Sequence, residues 1–122
     1  MHRGPVIDGE LMGTPVEPYI VIAKGGGKKV NLMLGSNLDE GAMLVYGLYM
    51  IINNITNWQN FPKLSDEALI TVLNHFFSPN TTSEALLYYP KSDYSDNTHR
   101  AGDIVRDYFF LCEARRSARA MV

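Results

Sequence analysis

At 122 residues the chain has an ordinary single-domain length, and its 46% hydrophobic content is enough to fill one core. A net charge of −2 and a pI near 5.8 give no electrostatic basis for binding nucleic acid or an anionic membrane. No apolar run approaches the roughly 20 residues that span a bilayer, and the first ten residues lack the apolar middle of a signal peptide; taken alone, these features read as cytoplasmic.

In chain order, Pro5 to Ile7 is a short apolar stretch and Asp8-Gly9 a turn signal. Leu11 to Pro18, with two prolines and a glycine, is irregular or at most starts a short helix at Thr14-Pro15. Tyr19 to Ala23 has strand-like composition. Gly25-Gly26-Gly27-Lys28-Lys29 invites a phosphate-loop reading but fails it. Ile22 stands where the leading glycine is required, Lys29 stands where Ser or Thr is required, and the segment precedes a strand instead of linking strand to helix. It reads as a surface loop.

Val30 to Leu34 is a short run with only Asn31 polar, which suits a strand buried on both faces of a parallel sheet. Gly35 stops it, Ser36 and Asn37 supply turn chemistry, and Asp39-Glu40 opens the next apolar segment. The predicted order is strand, turn, two acids, helix. Ligands of open α/β sheets gather at the carboxyl ends of strands, where Glu40 would sit. The plainer reading is that acids in a first helical turn favour its positive end, by about 0.3–1 kcal/mol each.

Gly41 to Ile52 reads as a helix and Asn53 to Lys63, with Pro62, as a loop. Ser65 is the expected cap of the next helix, with Asp66 and Glu67 in its first turn and Leu69, Val72, Leu73 and Phe76 at helical spacing. Ser78 to Thr82 is read as a break, Ser83 to Tyr89 as a short helix ended by Pro90, and Lys91 to Asn97 as a polar loop. The last helix starts at Asn97 or Ala101 and runs to the terminus, with Ile104, Tyr108, Leu111 and Ala118 on one stripe, bordered by Val105, Phe109 and Cys112. Arg115, Arg116 and Arg119 near its end read as a solvated terminus and not as an anion site.

Three segments together resemble one family. Gly4-Pro5-Val6-Ile7-Asp8-Gly9, Leu34-Gly35-Ser36-Asn37-Leu38-Asp39-Glu40-Gly41 and Asp107-Tyr108-Phe109-Phe110-Leu111-Cys112 stand in the order, and at the spacing, of the second half of a type-B carboxylesterase. The family includes the cholinesterases and the inactive neuroligin-like adhesion proteins. The resemblance implies an α/β class, as an incomplete α/β-hydrolase fragment, mostly helical with one or two strands. Residues 1–122 would form a partial domain without nucleophile elbow or histidine loop. It favours a short helix near Tyr19 to Ala23, and it implies that Met43, Tyr46, Tyr49 and Trp58 border the active-site gorge. Core packing is the simpler reading of those aromatics. It also implies that Cys112 pairs with a cysteine further along; otherwise a lone cysteine reads as an inert buried thiol. The sequons Asn54-Ile55-Thr56 and Asn80-Thr81-Thr82 agree with a secreted or extracellular parent.

By the same resemblance Glu40 is the triad acid, accepting from the histidine Nδ1–H so that the imidazole keeps its tautomer and its developing charge is stabilised. The substrate of the intact parent would be a small carboxylic ester. No Gly-x-Ser-x-Gly occurs in the sequence, and Ser36 lies in the wrong context. Of the three histidines, His2 precedes Glu40, His75 falls inside a helix, and His99 has neighbours unlike the family's histidine loop. No cofactor motif or metal-ligand spacing is present in the sequence. Two expectations follow: the chain alone hydrolyses no ester, and it is poorly stable alone because a parallel strand needs neighbours. The alternative is a fragment of a catalytically silent, neuroligin-type adhesion ectodomain. The residue at the upstream serine position discriminates the two.

Overall fold

The computed structural model describes residues 33–57, 59, 61 and 63–120, with single residues 20, 24 and 31. The readings made for residues 1–19, for Tyr19 to Ala23 apart from Ile20, for Gly25 to Lys29, and for Val30, Leu32 and Trp58 lie outside them. Two units divide the chain: Ser36–Cys112, and a second formed by Met1–Gly35 with Glu113–Val122.

Within Ser36–Cys112 the order is α1 (Glu40–Ile52), α2 (Asp66–Phe76), α3 (Pro79–Tyr88), a 3₁₀ turn (Lys91–Asp93), α4 (Asn97–Arg106) and a π-helical segment (Asp107–Leu111). Helix α5 (Cys112–Ala120) continues from it, and its residues from Glu113 onward belong to the second unit. There Arg116 pairs with Glu113 at 2.7 Å on an exposed face.

The helix starts follow capping chemistry. Ser65 Oγ accepts from the Ala68 N–H at 3.1 Å, as the sequence predicts for α2. Helix α3 begins at Pro79 and not at Ser83, which corrects the expectation. Ser78 is its cap, accepting from the Thr81 N–H at 3.2 Å, and Pro79 occupies the first helical position, where its missing N–H costs nothing. Ser78-Pro79 therefore ends one helix and opens the next. For α4, Asp96 accepts from the N–H groups of Thr98 and His99 at 3.0 and 3.1 Å, fixing the start at Asn97, the earlier of the two expected.

Val45 of α1, Leu69, Val72 and Leu73 of α2, and Ala101, Ile104 and Val105 of α4 form the core together with Leu64. The three α2 positions recur at the helical period that the sequence displays. The start of α4 pins the segment before α2: Thr98 Oγ1 accepts from the Leu64 N–H at 3.3 Å, and Asn97 Nδ2 donates to the Leu64 carbonyl at 3.1 Å. Buried Arg100 closes the far end of α3, donating to the carbonyls of Tyr89 at 2.6 Å and Leu86 at 3.0 Å. Those are among the carbonyls that a helix end leaves without an internal partner.

Helices α1 and α4 touch backbone to backbone. A Cβ on Gly41 would strike the carbonyl oxygen of Gly102 and the amide nitrogen of Arg106, while Ala42 Cα lies 3.4 Å from where a Cβ on Gly102 would stand. Glycine at 41 is what permits the crossing, whereas a methyl at 102 would only come into van der Waals contact with Ala42.

The expected strand is not observed. Among the described residues there is no strand at all, and Asn31, Met33 and Leu34 make no sheet pairing. Met33 is 96% exposed and Leu34 43%. The apolar composition suits a buried strand, but composition makes a strand only when a neighbouring strand takes up its N–H and C=O groups. The described part of the chain is mostly helical, and its α/β character stays with the resemblance.

Candidate active-site acid

Glu40 is the first residue of α1 and is partly buried. Its Oε1 accepts from the Asn37 N–H at 3.3 Å, so the carboxylate reaches back over the Leu38-Asp39 turn. Asp39, the cap residue, makes no side-chain cap bond, and its carbonyl accepts from the Ala42 N–H at 3.1 Å. Turn closure therefore falls to Glu40. Two features hold the turn from outside: the Gly41–Gly102 crossing, and Arg106, whose Nη1 donates to the Leu38 carbonyl at 3.2 Å. Among the described residues no strand precedes Glu40.

Arg106 is itself clamped. Its Nη1 meets Asp103 Oδ1 at 2.8 Å, and its Nε and Nη2 meet Asp107 Oδ1 at 2.8 and 2.7 Å. Burial works against the guanidinium charge, but Asp107 and Asp103 more than offset it and hold the group charged above the usual arginine range. The other Asp107 oxygen accepts from the Tyr89 hydroxyl at 2.7 Å. Burial and then that carboxylate push the Tyr89 phenol upward, so it stays a donor. Burial and Asp103 also raise Tyr94. A line of charge-assisted bonds thus runs from the end of α3 through Asp107 and Arg106 to the turn bearing Glu40.

The profile of the carboxylesterase family matches residues 1–122. The chain belongs to the carboxylesterase family. No solved structure matches it.

A carboxylesterase triad needs a histidine Nδ1 facing the acid. His75 Nδ1 lies 2.8 Å from the Thr71 carbonyl on the exposed side of α2. His99 Nδ1 lies 2.9 Å from Asp96 Oδ1 and 3.4 Å from Ser95 Oγ. That trio is no triad, since the hydroxyl and the carboxylate sit on the same ring nitrogen, whereas catalysis needs them on opposite ones. Neither residue meets Glu40. Of the aromatics tied to a substrate gorge, Tyr46 and Tyr49 turn their edges to Phe61, with ring centroids 4.3 and 5.1 Å apart, and Met43 is exposed. An apolar cleft of about 620 Å³, lined by Phe77, Tyr88, Tyr108 and Cys112 among others, does not include Glu40.

Cys112 is exposed, not a buried thiol, and Asn54 and Asn80 are both exposed. No group of three or more potential metal ligands occurs among the described residues. No described helix is long and apolar enough to cross a membrane. Sequence reasoning missed Arg106, Gly102 and Tyr89. The signal for Arg106 was available: Asp103-Ile104-Val105-Arg106-Asp107 puts an arginine between one acid at helical spacing and another beside it.

Proposed function

We propose that this chain is part of a serine carboxylesterase and contributes the acid of its Ser–Glu–His triad, Glu40, while the serine and histidine come from outside these 122 residues. On this reading the parent is an α/β-hydrolase and its substrate a small carboxylic ester. Glu40 accepts from the histidine Nδ1–H, and the imidazole takes the serine proton as the hydroxyl attacks the ester carbonyl. Backbone N–H groups elsewhere stabilise the oxyanion.

The observation that carries the reading is family membership over the whole chain, with Asp39-Glu40-Gly41 intact and its turn braced from two sides. The chain by itself, without a nucleophile elbow, turns over no nitrophenyl ester. In the intact enzyme, Glu40→Gln lowers kcat by about four orders of magnitude, the scale known for amide replacement of a triad carboxylate in a serine protease. Turnover by the purified chain that Glu40→Gln abolishes would overturn the first statement. An intact enzyme indifferent to Glu40→Gln would overturn the second.

A further inference from the structure

We propose that Arg106 is a positioning residue for Glu40, acting on it through the Leu38 carbonyl. The proposal rests on Glu40 being the triad acid. The Leu38 carbonyl lies just ahead of the cap residue, outside the hydrogen-bond ladder of α1, and Arg106 Nη1 takes it at 3.2 Å. The guanidinium cannot swing away freely, because Asp103 and Asp107 hold its other donors at 2.7–2.8 Å. Its side chain is only 15% exposed, so these bonds work in a partly desolvated setting.

On the far side of the turn, Glu40 Oε1 holds the Asn37 N–H at 3.3 Å. The turn is thus fixed at one end by Arg106 and at the other by Glu40 itself. Release the Leu38 carbonyl, and the Asn37–Glu40 bond is the only side-chain tie left across the turn among the described residues. A triad acid must not drift relative to its imidazole, since small misplacements are costly in rate. Arg106 is planar and multidentate, which lysine is not, so the two differ here although they carry the same charge.

The experiment is NMR on the ¹³C,¹⁵N-labelled full chain, comparing wild type, Arg106→Gln, Arg106→Lys and Val72→Ala. Val72→Ala lowers core stability without touching the turn. The readouts are the Glu40 carboxyl carbon shift and the exchange rate of the Asn37 amide under native conditions. Arg106→Gln should move the carboxyl resonance and speed Asn37 exchange about tenfold, as expected for a local opening. Arg106→Lys should give a smaller change of the same sign, and Val72→Ala should leave the resonance in place. Where Arg106→Gln does not fold, Arg106→Lys decides alone. A folded Arg106 variant whose Glu40 signal and Asn37 exchange match those of wild type overturns the proposal. So does one that changes no more than Val72→Ala. Failure of the triad reading shows separately, as an intact esterase indifferent to Glu40→Gln while Arg106→Gln still moves the Glu40 resonance and speeds Asn37 exchange.

Discussion

Two glycines in α1 permit a test in which one chemical change has opposite effects. Gly41 is buried against α4, and a Cβ there would strike backbone atoms of Gly102 and Arg106. Gly47 sits on the exposed side of the same helix, with nothing within 4 Å of the place a Cβ would take. Replacing a helix-interior glycine with alanine gains about 0.5–1 kcal/mol from the backbone alone. At Gly47 nothing opposes that gain, so Gly47→Ala should stabilise by this amount. At Gly41 the added methyl meets main chain that cannot rotate aside, so the helices must separate. Overpacking of this kind costs about 1–3 kcal/mol and occasionally more. A backbone collision belongs at the upper end, which leaves Gly41→Ala about 2 kcal/mol less stable after the propensity gain. With a urea slope of about 1–2 kcal/mol per M, the midpoint followed by far-UV circular dichroism falls by about 1–2 M for Gly41→Ala. It rises by about 0.5 M for Gly47→Ala. A Gly41→Ala midpoint at or above wild type would refute the crossing, and a Gly47→Ala midpoint that falls as far would refute the argument from space.

Leu73→Ala removes a fully buried side chain from the core and should cost about 2–5 kcal/mol by urea unfolding. Ser65→Ala removes the cap bond of α2 and should cost about 1 kcal/mol in the same assay. Lys91 first, then Asn97, hold Asp66 below the usual carboxylate range; for Asp96 burial opposes the charge, but bonds from His99 and Thr98 prevail and lower it as well. Both are groups with a depressed folded-state value, so their stabilisation is present above the unfolded value of about pH 4 and fades as pH falls through the folded one. Thermal melts should therefore show wild type losing stability relative to Asp96→Asn below about pH 4, and a constant difference would contradict this. Leu38, Met43, Ile51, Leu87 and Tyr88 are more than two-thirds exposed. The isolated chain should therefore bind a hydrophobic dye and associate at raised concentration in sedimentation; a dye-silent monomer would count against it.

Local signals were legible where neighbouring residues decide the outcome. Ser65 before Asp66-Glu67 and the 3.6-residue recurrence of Leu69, Val72 and Leu73 specify α2 without help from the rest of the chain. The helix from Gly41 to Ile52 was likewise readable from its neighbours, with its start one residue earlier, at Glu40, in the structure. What escaped reading is what distant residues decide. The Gly41–Gly102 approach and the Arg106–Leu38 bond join segments far apart in sequence, and neither leaves a local trace. Of the Val30 to Leu34 expectation, the described residues Asn31, Met33 and Leu34 form no strand, since apolar composition carries no information on whether a pairing partner is at hand. Ser78-Pro79 is a different kind of miss, since a proline that stops α2 from continuing is equally suited to begin α3.

Arg100 ties the lifetimes of two helices together. Helix α3 buries only Thr82 among its own residues, and its closing carbonyls are satisfied by a guanidinium borrowed from α4. When α4 lifts, that turn loses its terminator and unravels with it, whereas fraying of the Ser78 end leaves α4 undisturbed. The segment from Leu86 to Arg106 should therefore open as one block in hydrogen exchange, and the slowest amides near Tyr89 should report the undocking of a helix to which they do not belong.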